Sequence, residues 1–411
     1  MKRRLIATIS LAACTVALVA GPAISQGGSA PVARYTMDAG TTSGMGAMSG
    51  GGAAAAMSIL RGGGSNQVSH ELMLRLGSTR AATAPAADHF MPQGAELGAS
   101  VPLVTPPRST ATPGTPGQMP QGQMPQGRLL LFWGCGEHAP ANQPVIIDFA
   151  RMARGQVPPG LYASPLNLPD DWTIHQGNTT TYGTWPNDRD AKTVPANASL
   201  LGAHRIAGNY SPEISFNLAD DFMPALQARG SDMPSGATTL SWNALPKATG
   251  YYAWGIASGS DGGQSRDMVW WSSSSTQQFA GALQDWLSPA AVARLVSAGT
   301  VMPPSQTTCT VPAEVKAAGG PILMTFLTGY GPQADFAYPP RPANTRTPWR
   351  PEWIARVRFK SSTTYMAGMP GFGDQGQGQD EGQQTQQQAP QKPRCRGGLR
   401  GIAERAAGLC Q

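Results

Sequence analysis

The stretch Thr239-Leu240-Ser241-Trp242-Asn243-Ala244-Leu245-Pro246-Lys247-Ala248-Thr249-Gly250-Tyr251-Tyr252-Ala253-Trp254-Gly255-Ile256 decides the fold. Polar and apolar residues alternate from Thr239 to Trp242, the period-two pattern of a half-buried strand. A short polar turn around Pro246 and Lys247 interrupts it. Gly250 then opens a second run rich in the aromatic residues that favour strands.

The same rhythm continues on both sides. Ile214-Ser215-Phe216-Asn217-Leu218 precedes the stretch. Met268-Val269-Trp270-Trp271, Thr308-Cys309-Thr310-Val311, Ile322 to Leu327 and Trp353 to Phe359 follow it. Seven strands divided by Gly, Pro and Ser turns predict a mainly β fold with a sandwich over residues 213–365. Residues 279–298 break the pattern. There Ala282, Leu283, Trp286 and Leu287, then Val292, Leu295 and Val296, recur at helical spacing. Ser288 ahead of Pro289 reads as an N-cap with proline at the first helical position, so a short helical insert is expected.

Leu240 to Tyr251 resembles the corner between the second and third strands of fibronectin type III domains. There an inward Trp, a Pro-containing turn and a Gly-Tyr strand opening recur. The resemblance implies an immunoglobulin- or fibronectin-III-like sandwich used for binding and spacing, and it implies no activity. The whole chain also resembles uncharacterised exported bacterial proteins.

Ahead of the sandwich, Leu72, Leu74 and Leu76 alternate as one face of a strand within a Gly/Ala-rich segment, 26–104. Residues 105–127 hold two copies of Met-Pro-Gln-Gly and read as a disordered linker. Leu129 to Trp133 and Pro144 to Phe149 predict a paired hairpin at the start of a β-rich region, 128–212. Residues 370–393 are Gln/Gly-rich and read as disordered, ahead of a basic tail, 394–411.

The chain opens with Met1-Lys2-Arg3-Arg4, an apolar run from Leu5 to Ala20, and Gly21-Pro22-Ala23-Ile24-Ser25. This is the layout of a signal peptide over residues 1–25, and the run is shorter than the ~20 residues a membrane span needs. The expected product is exported, to the periplasm, the cell surface or the medium. A lipid anchor at Cys14 is the minor alternative, disfavoured because the apolar run continues past it.

The formal charge of +6 invites a nucleic-acid reading. Position removes it: three of those charges lie in residues 1–25, and Lys392 to Arg405 give the tail a net +4. Residues 26–370 carry only +2. The partners this leaves are anionic cell-envelope polymers and glycans rather than nucleic acid.

Four cysteines follow the signal segment, and an exported chain would pair them. Cys395–Cys410 is the short local pairing, which leaves Cys135–Cys309. In Cys135-Gly136-Glu137-His138, a thiol nucleophile or half a metal site competes with a disulfide after a strand. The disulfide is favoured, because no partner motif at metal-ligand spacing exists and His70, His89, His175 and His204 are scattered. Asp170-Asp171 and Asp220-Asp221 raise glycoside chemistry, but adjacent residues on an extended chain point apart. No nucleophile elbow, zinc helix, phosphate loop or dinucleotide fingerprint is present, so no catalytic residue, metal or cofactor is assigned.

Nine tryptophans fall between Trp172 and Trp353. Trp242 and Trp254 read as inward-facing. Trp270-Trp271 must put one ring on each face of a strand, so Trp270, Trp271, Trp172 and Trp185 form the candidate binding set. The reading is an exported, non-enzymatic envelope or surface protein that binds or builds structure. The alternative is a carbohydrate-active hydrolase or glycan-binding module, with acidic residues dispersed through 128–220.

Overall fold

The computed structural model describes residues 30–48, 67–107, 127–152, 154, 156, 173–258, 267–278, 281–344 and 347–367. The expected signal segment, linker, Gln-rich stretch and basic tail, with Cys395 and Cys410, lie outside these residues, as does Trp172.

The first two strands among the described residues are β1 (Ala33–Gly44) and β2 (Val68–Ser78). They are followed by β3 (Ala87–Phe90), β4 (Ser100–Pro102), β5 (Arg128–Trp133) and β6 (Val145–Asp148). A one-turn helix, α1 (Phe149–Met152), leads to β7 (Thr181–Trp185), β8 (Gly202–Gly208) and β9 (Ile214–Leu218). Next come β10 (Ala228–Asp232), β11 (Thr238–Trp242), β12 (Gly250–Ser258) and β13 (Met268–Ser272). The remainder is α2 (Pro289–Ser297), β14 (Thr308–Val311), α3 (Ala313–Gly319), β15 (Leu323–Tyr338) and β16 (Trp353–Ala367).

Among the described residues, nine strands form one sheet in the order β6-β5-β13-β12-β15-β16-β1-β2-β7. β15 is its middle strand, and beside it β16 pairs in parallel with β1, from Ala33 opposite Trp353 to Gly44 opposite Thr364. One face of this sheet is apolar. Tyr35, Met37 and Ala39 on β1 line up with Leu76, Leu74 and Leu72 on β2, and all six are buried. Against this face sit a four-stranded sheet, β4-β3-β8-β9, and a three-stranded sheet, β10-β11-β14. Phe216 of the first tilts against Tyr35, and Trp242 of the second packs on Tyr251. One continuous core holds them all.

The segment joining the two small sheets is fastened to the large one by hydroxyls. Thr41 donates to the Met223 carbonyl at 2.6 Å, Ser361 to that of Pro224 at 2.9 Å, and Ser43 to that of Leu226. Buried carbonyls outside any ladder need such partners. These hydroxyls explain polar residues on an otherwise apolar face.

Three expectations need correcting. The segments 26–104, 128–212 and 213–365 contribute strands to one sheet, since β1, β2, β5, β6 and β7 join β12, β13, β15 and β16. Ile214–Leu218 is a strand, but it pairs with β8 rather than within the sandwich; Ala228–Asp232 takes the place beside β11. Alternation identifies a strand and says nothing of its partner. Trp254 does not face inward: Tyr251 and Ala253 belong to the main core, while Tyr252 and Trp254 project to the opposite face.

The helical insert stands where the spacing put it. The Ser288 hydroxyl accepts from the Ala291 N–H at 3.2 Å, with Pro289 opening α2. Its Val292 and Leu295, with Leu283, bury Tyr252 and Tyr330 on the outer face of the large sheet. Trp286 anchors the approach to α2. Its Nε1 donates to the Ala39 carbonyl at 3.1 Å, its own carbonyl accepts from Arg358 Nη1 at 2.7 Å, and Lys360 lies 3.6 Å over its ring. Beneath it the fully buried Asp38 accepts from Arg358 Nε and Arg75 Nη1, each at 2.7 Å.

Cys135, in the turn after β5, is bonded to Cys309 on β14, with Cα atoms 5.0 Å apart. This bond ties the large sheet to the three-stranded one.

Candidate binding face

The outer face of β13, β12 and β15 follows from strand alternation. Trp254 and Ile256 on β12, Met268 and Trp270 on β13, and Met324 and Phe326 on β15 all project the same way. Ile256 stands opposite Trp270 on one side and Met324 on the other; Trp254 stands opposite Phe326. Ile322, just before β15, and Met268 are 44% and 37% exposed, and the others are half-buried. A contiguous apolar surface of this kind on a folded protein marks a place where something docks.

The rings form a stack. Trp254 lies between Trp270, 4.4 Å away with planes 16° apart, and Phe326, 4.1 Å away with planes 10° apart. Trp270 also packs against the satellite cluster of Leu129, Leu131, Ile147 and Phe149. Both faces of Trp254 are therefore covered, and the stack presents ring edges flanked by thioethers. Among the described residues no charged side chain belongs to the ridge. Along the ladders Thr364 lies opposite Phe326, and the Ser272 opposite Trp254 is buried.

Of the four tryptophans singled out from the sequence, Trp270 is in this ridge. Trp271 and Trp185 are core residues with no exposed surface, and Trp271 Nε1 donates to the Gly134 carbonyl at 2.9 Å. Burial leaves neither ring open to a ligand. Trp172 lies outside the described residues. Trp254 and Phe326 were missed as members of the site. The signal for Trp254 was its parity, odd relative to Tyr251 and Ala253.

The other candidate clusters are occupied internally. Cys135 is disulfide-bonded, and His138 Nδ1 lies 3.1 Å from Glu314 Oε1. The Ala139 N–H, at 2.8 Å, and then His138 hold the Glu314 carboxyl below the usual carboxylate range. Asp221 accepts from the N–H groups of Leu200 and Phe222 at 2.8 and 2.9 Å, whereas Asp220 pairs with Lys247. The two carboxylates thus serve different contacts.

The scattered histidines are not all apart. His89 Nε2 and His204 Nδ1 meet at 3.0 Å inside the core, with the Tyr35 hydroxyl 2.7 Å from His89 Nδ1. Each partner is spent on the next, so the chain of contacts is an interior brace between sheets. Among the described residues no group of three or more His, Cys, Asp or Glu side chains is placed to hold a metal ion. No helix among them is long and apolar enough to cross a membrane.

No protein-family model matches the chain, and neither the curated proteins nor the solved structures contain a match.

Proposed function

We propose that this chain is an exported, non-enzymatic protein of the cell envelope that binds an apolar partner surface, protein in nature, through the Trp254–Trp270–Phe326 ridge. The observation that carries the reading is the stack itself: half-exposed, uncharged, and set on a rigid sheet rather than on a loop. Ring edges with Met268 and Ile322 beside them suit another apolar surface better than a sugar, which needs an open ring face. The basic n-region and apolar run at the N-terminus support export.

A fibronectin-III-like sandwich is the scaffold we infer for residues 228–367. Supporting it, β10-β11-β14 form one sheet, and β13-β12-β15-β16 stand consecutively in the other. The inward Trp242 packs on Tyr251 across them at 5.6 Å. The hydrolase alternative is weakened by three of the described carboxylates of 128–220. Asp148, Asp190 and Asp220 hold Arg151, Lys192 and Lys247 in turn.

The test is co-sedimentation of the purified full chain with host envelopes, with protease-stripped envelopes and with bare cell-wall sacculi. Binding to intact envelopes alone is expected, weakened about tenfold by Met268→Gln with Ile322→Gln, roughly the loss of one apolar contact's worth of affinity. Equal binding to bare sacculi, unchanged binding by the double variant, or none at all refutes it. Fractionation of the host tests export separately, and recovery from the cytoplasm alone overturns it.

A further inference from the structure

We propose that a second site, a cleft where β1, β2 and β16 meet the segment 178–179, binds a small monocarboxylate with an apolar body through Arg34. The site lies several strands away from the aromatic ridge and does not depend on that reading. The cleft encloses about 410 Å³, and Pro31, Val32 and Ile354 form much of its wall. That volume falls within the range of small-molecule sites.

The polar side chains of the wall are already committed. Ser78 donates to the Tyr210 carbonyl at 2.5 Å, Thr79 to that of Val32 at 3.3 Å and Thr179 to that of His175 at 2.9 Å. Asn178 donates to the Thr173 carbonyl at 2.6 Å and accepts from the His175 N–H at 3.0 Å. Arg34 is the exception. It makes no side-chain hydrogen bond or ion pair with any described residue, although it is partly withdrawn from water, and that burial lowers its pKa.

Its neighbours on the same face show what is missing. Arg75 and Arg358 share Asp38, Arg356 holds Asp335, and Lys360 holds Glu71. Arg34 stands opposite Ile354 on β16 and Gly77 on β2, neither of which can supply an acid. Gly77 also lets the wall close in. A Cβ there would meet the methyls of Thr179 and Ile174 at 2.4 and 2.6 Å. A single guanidinium fork matches one carboxylate in bidentate fashion. The aliphatic wall beside it accepts an alkyl or aryl body, and one cation is too few for a phosphate.

Isothermal titration of the full chain with hexanoate, hexanol and inorganic phosphate tests this. Saturable hexanoate binding is expected, with hexanol and phosphate each at least about tenfold weaker, a difference of one decade in Kd. Arg34→Met should abolish hexanoate binding without lowering Tm. Ile354→Glu places a carboxylate opposite Arg34; it should raise Tm and remove hexanoate binding as well. Phosphate binding as tightly as hexanoate, hexanoate binding that survives Arg34→Met or Ile354→Glu, or no saturable binding by the unaltered chain overturns the proposal.

Discussion

His89 and His204, 115 residues apart in sequence, are joined ring to ring at 3.0 Å in the interior. The far end of the pair fixes every proton. His204 Nε2 meets the Leu200 carbonyl at 2.7 Å, and a carbonyl only accepts. His204 therefore carries its proton on Nε2 and accepts on Nδ1 from His89 Nε2–H. His89 Nδ1 in turn accepts from the Tyr35 hydroxyl. A second proton on His204 Nδ1 would face the His89 Nε2–H donor, and one on His89 Nδ1 would force the Tyr35 hydroxyl to turn from donor to acceptor.

This makes stability fall in mild acid. Burial, and then the nearby His204, hold His89 well below the ordinary histidine pKa, and burial also lowers His204. The unfolded chain takes up these protons near pH 6.5 while the folded chain resists, so the stability is fully present above that pH and is lost as pH drops below it. Each ring contributes a slope of about 1.4 kcal/mol per pH unit, and the similarly lowered His70 adds in the same direction. Thermal melts from pH 7.5 to 5 should show the decline, and His89→Gln should make it shallower, leaving the share of His204 and His70. A pH-independent Tm would contradict the assignment.

Asp38 is the pivot of the outer-face charges. Its carboxylate is fully buried between Arg75 and Arg358, and Arg358 also holds the Trp286 carbonyl. Asp38→Asn should cost about 3–5 kcal/mol, because it leaves cations buried without their counter-charge. Urea unfolding monitored by tryptophan fluorescence measures this. A loss below about 1 kcal/mol would show the cluster to be solvated.

The Cys135–Cys309 bond closes a separation of 174 residues. Cys135→Ala with Cys309→Ala should destabilise the chain by about 2–5 kcal/mol through the freed unfolded ensemble. Peptide mapping without reductant should recover the two segments as one species. Two separate thiol peptides would refute the bond.

Adjacent tryptophans should behave oppositely. Trp271→Ala empties a fully buried site and removes the bond to Gly134, at a cost of about 3–5 kcal/mol. Trp270→Ala sheds one member of a half-exposed stack, losing the ~0.5–1.5 kcal/mol typical of such pairs beyond area burial. Paired denaturant curves compare them, and equal losses would mean that the ridge is core.

What the sequence revealed follows from what periodicity can encode. β2, β5, β11, β12, β13 and the Ser288 cap were legible because each is local. β15 is legible only as far as Leu327, because Gly329, Gly331 and Pro332 beyond it look like strand breakers. In the structure a register shift between Tyr330 and Gln333 accommodates them. A Cβ at Gly331 would also strike Met223 Sδ at 2.4 Å. β10, Ala-Arg-Gly-Ser-Asp, has no pattern of its own and exists through its ladder with β11. At the candidate site, composition pointed to tryptophan, but which ring faces outward depends on register. Arg34 became conspicuous only once its cross-strand neighbours were known.

The parallel pairing of β1 with β16 sets a temporal order on the chain's biogenesis. Any process that releases the polypeptide from its N-terminus onward, whether a ribosome or an export channel, delivers β1 more than 300 residues before β16. Until Trp353 to Ala367 emerge, one edge of β1 stays open and β15 lacks its flank. The large sheet is thus completed only once β16 has emerged, and the unfinished edge must be kept from pairing elsewhere in the meantime.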